Sequence, residues 1–120
     1  MSTFRFENLE IWKYAIEVTI KLLDIADFME QKRLFGFSNQ LRDAALSITN
    51  NIAEGSGSFS DKEFGVFLNY SRRSVFECAN IIFVLWFKHY ISEEIKTQRL
   101  RELDLLSKRI TALRKSLKLQ

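Results

Sequence analysis

Apolar residues recur every three or four positions along almost the whole chain, the spacing of one face of an α-helix. Over residues 8–31, Leu9, Trp12, Ala15, Ile16, Thr19, Leu22, Leu23 and Ala26 share a face, and Ile11, Val18, Ile25 and Met29 widen it. Glu10, Lys13, Glu17, Lys21 and Asp24 line the opposite side. So broad an apolar face predicts packing against more than one neighbour. A second helix is predicted over 35–54, on a stripe of Leu34, Phe37, Leu41, Ala44, Ala45, Ile48 and Ile52. Gly55 reads as its left-handed C-terminal stop. Ser60-Asp-Lys-Glu63 then reads as a capping box opening a third helix over 61–90. Phe64, Phe67, Leu68, Ser71, Val75, Cys78, Ala79, Ile82, Leu85, Trp86 and His89 make its stripe, which would run about 45 Å. Ser92, followed by Glu93 and Glu94, caps a fourth helix over 93–117. There Leu103, Leu106, Ile110, Leu113 and Leu117 form a heptad seam.

No strand-like alternation competes with these four segments. Long helices joined by short loops pack antiparallel, so the expected fold is all-α: one domain over residues 1–120, an up-down-up-down four-helix bundle. Composition agrees: 120 residues contain no proline and four glycines, leaving little to interrupt a helix. The longest apolar run, Ile81 to Phe87, is closed by Asn80 and Lys88. A bilayer span takes about 20 apolar residues, so no membrane segment is expected. The N-terminal residues carry no signal-peptide pattern, and the lone Cys78 has no partner for an intramolecular disulfide. A cytoplasmic protein is expected.

Residues 40–55 carry a more specific pattern. Gln40-Leu41-Arg42-Asp43-Ala44-Ala45-Leu46-Ser47-Ile48, followed by Asn51-Ile52-Ala53-Glu54-Gly55, resembles the signature of the bacterial 23S rRNA intervening-sequence proteins, the S23 or four-helix-bundle family. Leu9 and Trp12 resemble its opening; Glu63-Phe64 and Phe67-Leu68 resemble the start of its third helix. The resemblance implies a small four-helix bundle that assembles into a ring, a pentamer. It gives Gln40, Arg42, Asn51, Ile52, Ala53, Glu54 and Gly55 a structural role. It also implies a relation to accessory proteins of diversity-generating retroelements, which bind RNA and a reverse transcriptase. The chain departs from the family at two places: Asp43 stands where a second basic residue is usual, and Arg73 where glycine is usual.

Two surfaces stand out as candidates for binding. Phe76, Phe83 and Phe87 fall opposite the core stripe of the third helix, with Val66 and Val84 flanking and Arg73 and Asn80 among them. A small bundle rarely encloses one of its own helices, and monomers seldom expose large apolar patches, so this face is expected to be a subunit interface of a homo-oligomer. The second surface is basic. Net charge is +3, but residues 1–60 balance at −2 and residues 61–120 at +5. On the fourth helix Arg101, Lys108 and Lys115 recur every seven residues opposite the leucine seam, flanked by Arg109, Arg114 and Lys118. Spaced about 10 Å apart, such cations can track phosphates, pointing to RNA or another nucleic acid as partner.

Glu54 breaks a local rule, because a carboxylate in the last turn meets the negative end of the helix dipole. A structural bridge to Arg72, Arg73 or Lys62 is the expected compensation. Catalysis finds little material. His89 and Cys78 are the only residues of their kinds, about 16 Å apart along one helix. One histidine cannot supply the two Glu-x-x-His pairs of a di-iron bundle, and Gly55-Ser-Gly-Ser lacks the rest of a phosphate loop. No enzymatic activity, metal, cofactor or small-molecule substrate is expected. The expected function is an oligomeric scaffold that binds nucleic acid; the alternative is a protein-interaction adaptor that docks a larger partner.

Overall fold

Four long helices form where the periodicity predicts them. The computed structural model describes residues 3–117. A short 3-10 turn at Arg5–Asn8 precedes α1 (Glu10–Gln31), α2 (Phe35–Ser56), α3 (Asp61–Phe87) and α4 (Glu93–Ser116), and the described residues contain no strand. The connections are short enough that each helix must reverse on its predecessor. α1 packs on α2, α2 on α3 and α3 on α4, while α4 returns to α1 over a thinner contact. The result is an elongated four-helix bundle of 45 × 24 × 23 Å.

The inner stripes meet along the axis. Ala15, Val18, Leu22, Ala26 and Met29 of α1 close on Leu41, Ala45, Ile48 and Ile52 of α2, and on Phe64, Leu68, Val75, Cys78, Ile82 and Leu85 of α3. α4 contributes Leu103, Leu106 and Ile110; Leu113 and Leu117 are only half-buried, so its seam loosens towards the C-terminal end. Polar residues on the inner stripes find carbonyls. Thr19 Oγ1 donates to the Ala45 carbonyl (3.3 Å) and Ser71 Oγ to the Ile48 carbonyl (2.8 Å), so neither hydroxyl is buried unsatisfied.

The helix ends differ from expectation in one consistent way. Among the described residues the left-handed ones are Arg33 and His89, both at φ 63°, and none of the glycines has positive φ. Each ends a helix in a Schellman arrangement. At the end of α1 the Leu34 amide donates to the Met29 carbonyl and the Arg33 amide to Glu30 (2.9 and 2.8 Å). At the end of α3 the Tyr90 amide donates to Leu85 and the His89 amide to Trp86 (both 2.9 Å). α3 therefore stops at Phe87 rather than at 90, and His89 is exposed instead of lying on the core stripe.

Gly55 is not the stop of α2. The helix continues through it to Ser56, and Gly55 is buried within it. A Cβ here would lie 2.6 Å from Phe67 Cβ and 2.9 Å from Phe64 Cδ1, so only glycine lets α3 approach this closely. Ser60 Oγ and Ser92 Oγ accept from the third amides of α3 and α4, Glu63 and Ile95, both at 3.1 Å. These two caps stand where the local sequence puts them.

Candidate assembly and nucleic-acid surfaces

The outer face of α3 stays open. α3 runs closely along α2 and α4 and turns its inner stripe to the core, which leaves its opposite side unpartnered along its length. Val66, Arg73, Phe76, Asn80, Phe83, Val84 and Phe87 are all exposed there, within a sector roughly 100° wide. Phe76 is 55% and Phe87 69% exposed, far above what a core position allows. A helix enclosed on every side is therefore excluded. Tyr70 and Glu77 extend the same surface, and neither was apparent from the apolar pattern. Beside it, a polar depression of about 340 Å³ between α2 and α3 is lined by Ser47, Asn51, Tyr70, Arg73, Ser74 and Glu77. Its floor is a hydroxyl pair, Ser74 Oγ donating to Ser47 Oγ at 2.8 Å, with the Asn51 amide donating to the Ser47 carbonyl (2.8 Å).

The signature residues of α2 spread over three environments. Ile52 and Gly55 are buried, Arg42, Asn51 and Ala53 half-buried, Gln40 and Glu54 exposed. Arg42 ties α2 to α1: its guanidinium donates to Asp27 (2.7 Å), Glu30 (3.0 Å) and Ser38 Oγ (2.9 Å). Donating to the Asp27 and Glu30 carboxylates raises its pKa further, so this cation is permanent. The expected bridge from Glu54 to Arg72, Arg73 or Lys62 does not form; Glu54 enters none of the ion pairs of the described residues. The negative end of α2 meets Arg5 instead, whose Nη1 donates to the Ser56 carbonyl (3.5 Å) while its guanidinium lies over the Phe64 ring (5.0 Å). Arg5 precedes the periodic region, so nothing in the helical pattern marked it.

On α4, Arg101, Lys108, Arg109, Arg114 and Lys115 are all exposed, and Lys118 lies outside the described residues. They are not equally free. Lys108 is held by Asp104 one turn earlier (2.9 Å). Arg109 stacks over Tyr14 (4.6 Å), whose hydroxyl donates to the Glu102 carbonyl (3.3 Å). Burial first, and the Glu102 carboxylate second, push the Tyr14 phenol above its usual value. Arg114 Nε donates to the Gly65 carbonyl (3.2 Å), fastening the end of α4 to the start of α3. Arg101 and Lys115 make no ion pair among the described residues. Of the basic line only Lys108 has a carboxylate partner; Arg109 and Arg114 are positioned by a ring and a carbonyl and keep their charge, as do Arg101 and Lys115.

The groups that chemistry would need are apart. Cys78 is buried, and desolvation pushes its thiol up to about 12, which keeps it from acting as a nucleophile near neutral pH. His89 sits at an exposed helix end. Among the described residues no three His, Cys, Asp or Glu side chains converge as a metal site, and no helix is long and apolar enough to cross a membrane.

The sequence profile of the 23S rRNA-intervening sequence proteins matches residues 7–112. The chain belongs to that family. Its fold is shared with the crystal structure of a protein of unknown function from the S23 ribosomal protein family of Bacteroides thetaiotaomicron. The two superpose with a TM-score of 0.84 over 88% of this chain and 99% of the other, at 20% sequence identity. No curated protein matches. The family's description refers to 23S rRNA intervening sequences, and neither finding points to a catalytic family.

Proposed function

We propose that this intervening-sequence family member is a non-catalytic scaffold that self-associates through the outer face of α3 and binds structured RNA through α4. The observation that carries the nucleic-acid reading is the set of exposed cations on α4, Arg101 and Lys115 unpaired at its ends and Lys108, Arg109 and Arg114 between. Assembly would repeat that surface, multiplying weak phosphate contacts into useful affinity. The assembly reading rests on Phe76, Phe83 and Phe87, whose exposure a lone bundle has no use for. Arg73 and Glu77 on the same face carry opposite charges and enter no ion pair among the described residues, which leaves both for charged groups on a different patch of the neighbouring subunit, as a closed ring requires. The ring of five implied by the resemblance is the assembly proposed.

One experiment separates the parts. Wild-type protein at micromolar concentration is expected to scatter light as a multimer, and Phe83→Asp with Phe87→Asp to scatter as a monomer. A monomeric wild type removes the assembly reading. A structured RNA is expected to bind with affinity that falls steeply as salt rises, and Arg101→Glu, Lys108→Glu, Lys115→Glu to abolish binding without changing the multimer. The same aromatic face favours a second reading, an adaptor that docks a larger protein. Absence of RNA and DNA binding even at low salt decides for the adaptor.

A further inference from the structure

The α3–α4 groove near the C-terminal end of α4 holds three cations from two helices. Arg72 comes from α3; Arg114 and Lys115 come from α4. Asn69 adds a side-chain amide, Thr111 a hydroxyl whose proton is already given to the Ser107 carbonyl (3.0 Å), and no carboxylate lines the cavity, which has a volume of about 200 Å³. Leu68 and Ile110, both fully buried, form its apolar floor. Like charges gathered without an acid between them repel one another, so the arrangement is unfavourable unless something negative offsets it.

Arg72 is the telling residue. Its guanidinium lies over the Phe76 ring at 4.7 Å, which fixes its plane. Its Nε is buried and donates to no acceptor among the described residues. Two other buried side-chain atoms lack a well-aligned hydrogen bond, Arg99 Nε and Glu102 Oε1, but those face each other as an ion pair at 2.7 Å. The Arg72 donor has no such explanation, and a buried charged donor left unpaired is a feature that structures normally avoid. Arg114 uses Nε on the Gly65 carbonyl, an anchor that leaves its two terminal nitrogens for other acceptors. Lys115 forms no ion pair among the described residues.

We infer that this groove is a phosphate seat, with Arg72 and Arg114 as planar donors, Lys115 as a point charge and Asn69 and Thr111 as polar rim. Guanidinium edges match the oxygens of a tetrahedral oxyanion, and a groove of this size admits one phosphoryl group. The phosphate is either one backbone unit of RNA or a free phosphate ligand. The RNA source rests on the proposed function, whereas the seat itself does not.

The test follows the Arg72 and Arg114 Nε–H resonances of isotope-labelled protein while adding inorganic phosphate or, separately, a structured RNA hairpin. Both resonances are expected to shift and saturate with each probe. Arg72→Gln, checked for unchanged helicity by circular dichroism, should lose the phosphate response at Arg114 and bind RNA roughly tenfold more weakly, the scale of one lost charge-assisted hydrogen bond. Arg72→Lys should fall between, because it keeps the charge but not the planar fork. Arg114→Gln is the second variant if Arg72→Gln does not fold. RNA binding that is equal in wild type and Arg72→Gln, with no movement at Arg72, overturns the seat and leaves the nucleic-acid surface standing. A phosphate response without RNA binding keeps the seat, assigns it to a free ligand and removes the nucleic-acid reading. No response to either probe overturns the inference.

Discussion

The α2–α3 seam and the flanks of α4 belong to one bundle but are built differently. Along the seam, backbone approaches side chain directly: Gly55 leaves no room for a Cβ beneath Phe64 and Phe67, and Ser71 reaches the Ile48 carbonyl at 2.8 Å. Around α4 the packing opens. A polar depression of about 340 Å³ lies beside the α2–α3 seam too, but cavities of about 430, 230 and 200 Å³ border α4, on the α1 side and along α3. Beside the buried Leu103, Leu106 and Ile110 of α4, its outer ties to the other helices are polar: Lys21–Glu102 at 2.7 Å and Arg114 on the Gly65 carbonyl. Part-exposed ion pairs of this kind contribute little to stability. The difference puts the closest approach between helices at the α2–α3 seam. It leaves α4 as the helix whose surface is available for charge and whose grooves are available for ligands.

The largest effect should come from filling the tight side. Gly55→Ala is expected to destabilise by about 3 kcal/mol, the upper range for overpacking, because the added methyl meets Phe67 Cβ rather than a flexible side-chain tip. The midpoint of urea unfolding measures it. An unchanged midpoint would mean that the seam yields as easily as the α4 side. Next, Leu106→Ala removes a fully buried leucine from α4. A loss of about 2 kcal/mol is expected, at the low end for such truncations, since neighbours bordering open grooves can relax into the space. A loss of 4–5 kcal/mol in the same titration would erase the contrast between the two regions. The smallest effect has the opposite sign. Ala79→Leu extends into the cavity that Ala79 shares with Val75, Phe76, Leu100 and Leu103. It is expected to stabilise by about 0.5–1 kcal/mol, as cavity-filling changes do. A destabilised variant would show that this groove is shaped rather than loose.

Much of this architecture is written in near-neighbour chemistry. The four helices, their inner stripes and the serine caps at Ser60 and Ser92 depend on residues within one or two turns of each other, which is the range over which periodicity and capping act. The apolar outer face of α3 was legible for the same reason: a helix with two apolar faces cannot bury both in so small a bundle. Charge was legible only as a count and a spacing. That Lys108 is held by Asp104, and that Arg101 and Lys115 remain unpaired, depends on rotamers chosen in the folded state.

Other features arose only when distant segments met. Gly55 looks like a helix stop because glycine usually supplies the left-handed residue, yet its value here is the absence of a side chain against α3. The left-handed positions went to Arg33 and His89, where burying Leu34 and Tyr90 against the bundle outweighs the local strain. Arg5 took the place at the end of α2 that the position of Glu54 predicts for a cation of α3. Arg72, expected from the sequence as one candidate partner of Glu54, instead stands beside Arg114 and Lys115 of α4. Helical pattern reports which side of a segment is apolar. Which partner each side meets, and how closely, is set by packing, because contacts between helices depend on Cβ volumes and approach distances that one segment alone does not contain.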